Sequence, residues 1–398
     1  MRNHINYRIF SDLSLEKNTL DKMPPRKTTT TKKQELNPMM AEFQQCCKVL
    51  GFQEEDFINQ ITPFLNKSET QFRLVNMTIS QTSSKVIFRF IQRYQKIQQV
   101  SFYACQFTDP NFFKQFTLEF NKCPANNVSF DYVPVQREAL IPHLTSPSIE
   151  ILSLRGNQCI TSYDFVTHEL HPFPSSLNSF INALCTSQIK VLNLFGCHIG
   201  DEGAIAVAES LFFNTNLQCL SLSKNRIGDA GALALAAALS EYHLDEQETA
   251  IVEKFINDES KQKISDEGGG LVKRKKGQKA PPKKPQTRNA GRKGAQSRQQ
   301  VEIQKNFDPH APVKAIVLTK WNTCVTLDTN PPQKVLPGNS TLTSLLLEEN
   351  NITEKGAMAL KEMLGMNPHI VQFSIDNNPE ISQEMISHLR RVVPPSIE

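Results

Sequence analysis

The sequence predicts an α/β fold: a solenoid of stacked strand-and-helix units, with parallel strands on a concave face, helices on a convex face, and one long basic insertion. Three observations carry this. First, the spacing LxxLxLxx(N/C)xL appears in "IKVLNLFGCHI" from Ile189 and again in "LQCLSLSKNRI" 28 residues later. It returns in "LTSLLLEENNI" from Leu342, and once more from Ile370 after another 28 residues. Second, each copy continues into a stretch with apolar residues at i, i+3 and i+7: Ala204, Val207 and Leu211, then Ala232, Leu235 and Leu239, then Ala357, Leu360 and Leu364. This spacing makes one apolar helical face. Third, the copies from Leu217 and Leu342 stand 125 residues apart, and the interval holds the most basic part of the chain. A unit of one short strand and one helix cannot bury its own apolar face, so such units stack and bury each other.

Residues 1–36 include "KMPPRKTTTTKKQE", polar and rich in Pro, Thr and Lys, and are expected to be disordered. In 37–66, Met40, Phe43, Cys47 and Leu50, then Phe57, Ile61 and Leu65, describe two short helices broken at Gly51. They stand where a stack needs its N-terminal cap. Repeats then occupy 67–242. "IQQVSFYACQF" fits through Ile97, Val100, Phe102, Cys105 and Phe107, "FRLVNM" from Phe72 fits more weakly, and "NVSFDYV" allows a further layer. "IEILSLRGNQCI" from Ile149 fits with one additional residue. The insertion spans 243–338. It opens on charged "DEQETAIVEKFINDESKQK", is basic and expected to be disordered over 268–300, and ends in "AIVLTKWNTCVTL", with Trp321, apolar enough to pack back onto the stack. Residues 339–398 hold the last repeats and a final helix, with Arg390 and Arg391 at its dipole-favoured end and Pro394 and Pro395 beyond it.

The glycine-bracketed acidic pair in "IGDEGA" invites a phosphate-loop or metal reading. Its recurrence as "IGDAGA" points to structure instead. Asp201, Asp229 and Glu354 lie at helix starts, where carboxylates suit exposed amides. Gly203, Gly231 and Gly356 recur where a missing side chain lets the helix approach the strand of its own layer. His168 and His171 in "HELHPF" lack an evident third ligand and are read as surface histidines. No cofactor or metal is expected.

The 28-residue period, the Asn or Cys at the turn and the "IGDEGA" helix starts resemble the ribonuclease-inhibitor type of leucine-rich repeat. The resemblance implies a horseshoe and a protein-binding role without catalysis. The interrupted arrangement, "VLNLFGCHIGDEG", a Lys-rich insertion and then "NSTLTSLLLEENNITEKG", also resembles a leucine-rich-repeat family of ciliated cells, which implies an axonemal setting. Ran GTPase-activating proteins share the repeat type, so regulation of a small GTPase is the alternative. Their acidic tail is replaced here by "PPSIE", and their stack has no basic insertion.

The outward positions of the strands are the third, fifth and seventh of each repeat. They offer no nucleophile beside a base and no carboxylate pair beside a histidine. They do offer aromatic and aliphatic anchors, Tyr103, Ile151, Val191, Phe195 and Leu346, with Arg155 and Asn193 among them. Lys224 and Arg226 precede Glu348 and Asp376 along the stack, which polarises the rim. These residues form the expected partner-binding face. The insertion supplies an electrostatic tether of Lys273, Arg274, Lys275, Lys276, Lys279, Lys283, Lys284, Arg288, Arg292, Lys293 and Arg298, with no acidic residue from Leu271 to Gln300. The remainder of the chain has 33 basic against 40 acidic residues.

Such a tether suits acidic protein surfaces, including axonemal proteins and the glutamate-rich tails of tubulin. Nucleic acid is expected to bind it only without sequence preference, because it contains no aromatic residue for stacking. "KRKK" also allows a nuclear adaptor. No run of 18 apolar residues is present and the N-terminus has no apolar signal segment, so no membrane association is expected. Nine cysteines without a CxxC pair suit a reducing, cytoplasmic setting.

Overall fold

The computed structural model describes residues 37–134, 137–157, 163–164, 169–170, 175–254, 324–329 and 332–392. The chain divides into two units, one formed by Met1–Leu239 with Asn339–Glu398 and the other by Ser240–Gly338.

The first unit is built on an eight-stranded sheet whose strands follow in chain order. They are β1 Gln71–Val75, β2 Gln99–Tyr103, β3 Asn127–Asp131, β4 Ile151–Ser153, β5 Val191–Asn193, β6 Cys219–Ser221, β7 Ser344–Leu346 and β8 Gln372–Ser374. Every neighbouring pair is parallel. Parallel neighbours require a crossover between them, and each of these crossovers contains a helix. The crossovers are α3 Gln81–Arg93, α4 Phe112–Phe120, α5 Arg137–Leu144, α6 Ser175–Cys185, α7 Gly200–Leu211, α8 Asp229–Leu239 and α9 Glu354–Met366, and α10 Gln383–Val392 follows the last strand. Ahead of β1 lie α1 Pro38–Leu50 and α2 Glu55–Leu65. Asn37 caps α1 by accepting from the Met39 amide at 2.8 Å, and Gly51 ends it in the left-handed conformation at φ 63°.

Register ties the layers together. Phe72, Val100, Val128, Leu152, Leu192, Leu220 and Leu345 stand side by side across the sheet, and each is fully buried. Leu220 pairs with Leu345 as directly as Leu192 pairs with Leu220, so the stack passes over the insertion without a slip. A one-residue slip would turn every one of these side chains to the other face. Each strand is left by a tight turn whose second residue beyond the buried Leu, Ile or Phe position is left-handed: Asn76, Ala104, Tyr132, Gly156, Gly196, Lys224, Glu349 and Asn377 all have positive φ.

Two asparagine ladders satisfy the backbone that these turns would strand. In the first, Asn225 donates to the Leu194 carbonyl at 2.8 Å and accepts from the Cys197 amide at 2.8 Å. Asn350 repeats this one layer on, to the Leu222 carbonyl and from the Asn225 amide. Cys197 takes the same place by donating its thiol to the Leu154 carbonyl. The second ladder, Asn214, Asn339 and Asn367, binds helix-end carbonyls of the preceding layer and the amides that begin its own.

The first layers are filled by phenylalanine. Phe43 of α1 meets Phe90 edge-on at 5.5 Å, and Phe90 lies 4.9 Å from Phe72, so the leading helices cover the open end of the sheet. Further on, Phe102 stacks on Phe130 at 5.2 Å, and the His143 ring stacks on Phe130 at 5.1 Å. His143 is fully buried, and burial pushes its pKa down to about 3. Its folded value lies below its unfolded value, so its contribution is complete above pH 6.5 and declines between pH 6.5 and about 3. The unfolded chain takes a proton that the folded chain refuses, which costs about 1.4 kcal/mol per pH unit. Between pH 7 and pH 5 the parent is expected to lose about 2 kcal/mol through this site. His143→Leu should lose correspondingly less in urea titrations at the two pH values. Equal losses would mean that the ring takes up its proton inside the fold.

In the second unit, Tyr242–His243, Gln333–Leu336 and Val325–Leu327 form a three-stranded antiparallel sheet. The end of "AIVLTKWNTCVTL", Val325–Leu327, pairs with Gln333–Leu336 inside the insertion. Trp321, the N-terminal 1–36 and the basic 268–300 lie outside the described residues.

Candidate functional site

The acidic pair of "GDEG" belongs to the scaffold. Asp201 accepts from the Gly228 and Gly231 amides at 2.7 and 2.8 Å, so it caps the helix of the next layer, not its own. Asp229 does the same for the Thr353 and Gly356 amides at 2.9 and 3.0 Å, and Glu354 for Ser382 at 2.8 Å. The glycine requirement also reaches beyond its own layer. A Cβ on Gly231 would stand 2.7 Å from Ile227 Cγ2 but also 2.8 Å from Ala204 Cβ and 2.9 Å from Asp201 Oδ1 of the previous layer.

Burial pushes the Cys46, Cys47, Cys123 and Cys219 thiols up to about 11, which keeps them protonated at neutral pH. Among the described residues no group of His, Cys, Asp and Glu could hold a metal ion. No helix among them is long and apolar enough to cross a membrane.

The sheet face turned away from the buried leucine row carries the partner-binding residues expected from sequence, and the structure sorts them into two groups. Val191, Asn193 and Leu346 are corrected: they are only 3, 4 and 8% exposed. Val191 and Leu346 cluster with Cys219, and Ile151 packs against them. Neighbouring strands lie about 4.8 Å apart, so short side chains in register shield one another even on the outer face. These three therefore are not exposed anchors.

The second group forms a continuous ladder along the C-terminal ends of the strands. Arg73 lies over Tyr103 at 5.8 Å, and Tyr103 meets Tyr132 edge-on at 5.3 Å. Arg155 stands 5.8 Å from the Tyr132 ring and 4.5 Å from Phe195, and Lys224 stands 5.9 Å from Phe195. Lys224 then pairs with Glu349 at 3.5 Å. Beside it the Ser223 hydroxyl bonds Glu348, and in the last layer Asp376 pairs with Arg390 at 2.7 Å. Every layer from β1 to β8 has a rung, basic and aromatic first, acidic last.

The rungs are held from beneath. Asp131 is buried, and its Oδ1 accepts from the Ser153 hydroxyl at 2.6 Å and the Arg155 amide at 3.2 Å. Burial raises its pKa, while Ser153, Ser129 and Arg155 pull the other way. Tyr132 lies on Gly156, where an added Cβ would come within 2.3 Å of the ring. Gly156, at φ 72°, is therefore required twice, by the turn and by the tyrosine. His198 joins the basic part, its pKa lowered by burial, then by Arg226 and Lys224.

Arg73, Asp131 and Tyr132 escaped the sequence reading. Arg73 stands in the weakest copy of the spacing, and Tyr132 occupies the eighth place, outside the three outward columns. Its offset matches that of Lys224 and Glu349, which was the available signal. The eleven tether residues from Lys273 to Arg298 lie outside the described residues.

The geometry of stacked parallel strands, crossover helices and an asparagine ladder is matched by sequence: a Leucine Rich repeat family model fits residues 189–208, 213–236 and 338–361. These are leucine-rich repeats. The matched segments carry β5, β6 and the start of the β7 layer, where leucine fills the spacing; the first three layers put Phe72, Phe102 and Phe130 in the sheet instead. No curated protein matches the chain at a significant level. Leucine-rich repeats point in general to protein–protein interaction, the role that a long, rigid, side-chain-rich sheet face suits.

Proposed function

We propose that this protein is a non-catalytic interaction scaffold that binds a protein partner across the outer face of its sheet. The observation that carries this is the ladder from Arg73 to Glu349, which is continuous over the layers and changes sign along its length. Aromatic and arginine side chains are the residues that dominate protein interfaces, and a pre-ordered set loses little entropy on binding. The interrupted arrangement, which resembles that of a leucine-rich-repeat family of ciliated cells, is the support for an axonemal setting, with the basic insertion as a tether to acidic surfaces such as tubulin tails. Attraction of that kind is salt-dependent.

Tyr103→Ala combined with Phe195→Ala tests the scaffold reading. Both side chains are half-buried, so stability should stay within about 1 kcal/mol of the parent. Recovery of crosslinked partners from ciliated cells should fall at least about tenfold, since hot-spot truncation costs about 2 kcal/mol or more. Undiminished recovery of the same partners would remove this face from the mechanism. Tagged protein in cilia-bearing cells should label the ciliary shaft; a diffuse or nuclear signal with unlabelled cilia counts against the setting.

A further inference from the structure

We infer that the partner reaches the ladder as an extended, acidic protein segment that crosses the strands and turns basic at the end lying over β7 and β8. The inference rests on the scaffold reading and names the chemistry of its ligand.

Length comes first. From β1 to β6 the ladder crosses five inter-strand spacings, about 24 Å, which an extended chain at about 3.3 Å per residue covers with about seven residues. A helix rises about 1.5 Å per residue and is about 10 Å wide, so it would meet only part of a rail one side chain broad.

Charge comes next. Lys224 and Arg226 are exposed in the turn after β6, and Lys224 stands 5.9 Å from the Phe195 ring. His198 beside them has its pKa lowered by burial first and then by Arg226 and Lys224, so the positive charge there is carried by those two side chains. Arg155 is held against Phe195 at 4.5 Å, with Asp131 beneath it. A guanidinium stacked on a ring presents its edge to carboxylates in a fixed plane. Farther along, Tyr132 is 42% exposed and rests on the Gly156 backbone, a rigid platform for an apolar or aromatic side chain between acidic ones.

Polarity of the rim then selects among anions. Glu348, Glu349 and Asp376 follow in the turns that leave β7 and β8, where a uniform phosphate backbone would meet like charge. A protein segment can change sign over that distance. Like-charge juxtaposition costs several kcal/mol across an interface, enough to discriminate.

The test uses the full chain and three fluorescein-labelled probes: a peptide of about twelve residues with a Glu-rich half followed by a Lys-rich half, a peptide of the same composition with the charges alternating, and an oligothymidylate of equal length. Binding is read by fluorescence anisotropy. Lys224→Ala with Arg226→Ala should weaken the block peptide at least about tenfold. Lys85→Ala with Lys114→Ala removes the same charge from exposed helix positions, and should change binding less than about twofold. Because every variant keeps the basic insertion, its contribution is common to all.

The parent should also prefer the block peptide to the alternating one. Equal binding of the two peptides, equal loss in both double variants, or tighter binding of oligothymidylate with the same loss would each overturn the inference. The Tyr103 and Phe195 variant separates the two levels. If it loses cellular partners while its binding of the block peptide equals the parent's, the face binds protein and the ligand chemistry named here is wrong. If it keeps its partners, the scaffold reading itself fails.

Discussion

Leu222→Asp is expected to unfold the stack of repeats. Leu222 is fully buried, and its amide bonds the Leu346 carbonyl of the next layer, so the position belongs to two layers at once. Truncating a buried leucine costs about 3 to 5 kcal/mol, and the carboxylate adds the cost of an unpaired charge or of a proton taken up to avoid it. The sum, about 5 kcal/mol or more, approaches the whole stability of an ordinary domain. Layers are stabilised by their neighbours, so the damage spreads to β5 and β7. Far-UV circular dichroism during thermal melting should show a lost or strongly lowered transition. A variant that melts like the parent would mean that Leu222 does not face the core.

Asn339→Ala is the second large effect. Asn339 donates to the Leu211 and Asn214 carbonyls at 2.7 and 2.8 Å and accepts from the Thr341 and Leu342 amides, both at 2.9 Å. It is the residue at which the chain re-enters the stack after the insertion. Alanine would leave these buried backbone groups without partners, at about 1 to 3 kcal/mol each before relaxation, and a net cost of about 3 kcal/mol is expected. Chemical denaturation should show the midpoint falling with little change in slope. Asn339→Asp keeps the two acceptor contacts but sets a carboxylate oxygen against the Leu211 and Asn214 carbonyls, so it should not recover the parent's stability. A cost below about 0.5 kcal/mol, the size of a neutral surface change, would show that the re-entry point is held by other contacts.

The repeat was legible because its physics is local in sequence. The buried row of Leu192, Leu220 and Leu345 follows from strand alternation, and Ala232, Leu235 and Leu239 from helical periodicity. Even the uncertain segments "FRLVNM" and "NVSFDYV" form β1 and β3. The second asparagine ladder was less visible, since Asn214, Asn339 and Asn367 lie at the helix ends, where an asparagine also suits a plain surface turn.

What the sequence by itself determined is the repeating unit: which residues enter the core, where each layer turns, and that one interval between layers is long and basic. The tertiary structure alone decided which outward residues are available and which neighbours they meet. Val191 and Leu346 occupy outward positions as surely as Phe195 does, yet they are buried and Phe195 is a rung between Arg155 and Lys224. Alternation along a strand assigns a side chain to a face. Its exposure depends on side chains in the adjacent strands, about 4.8 Å away in space and 24 or more residues away along the chain.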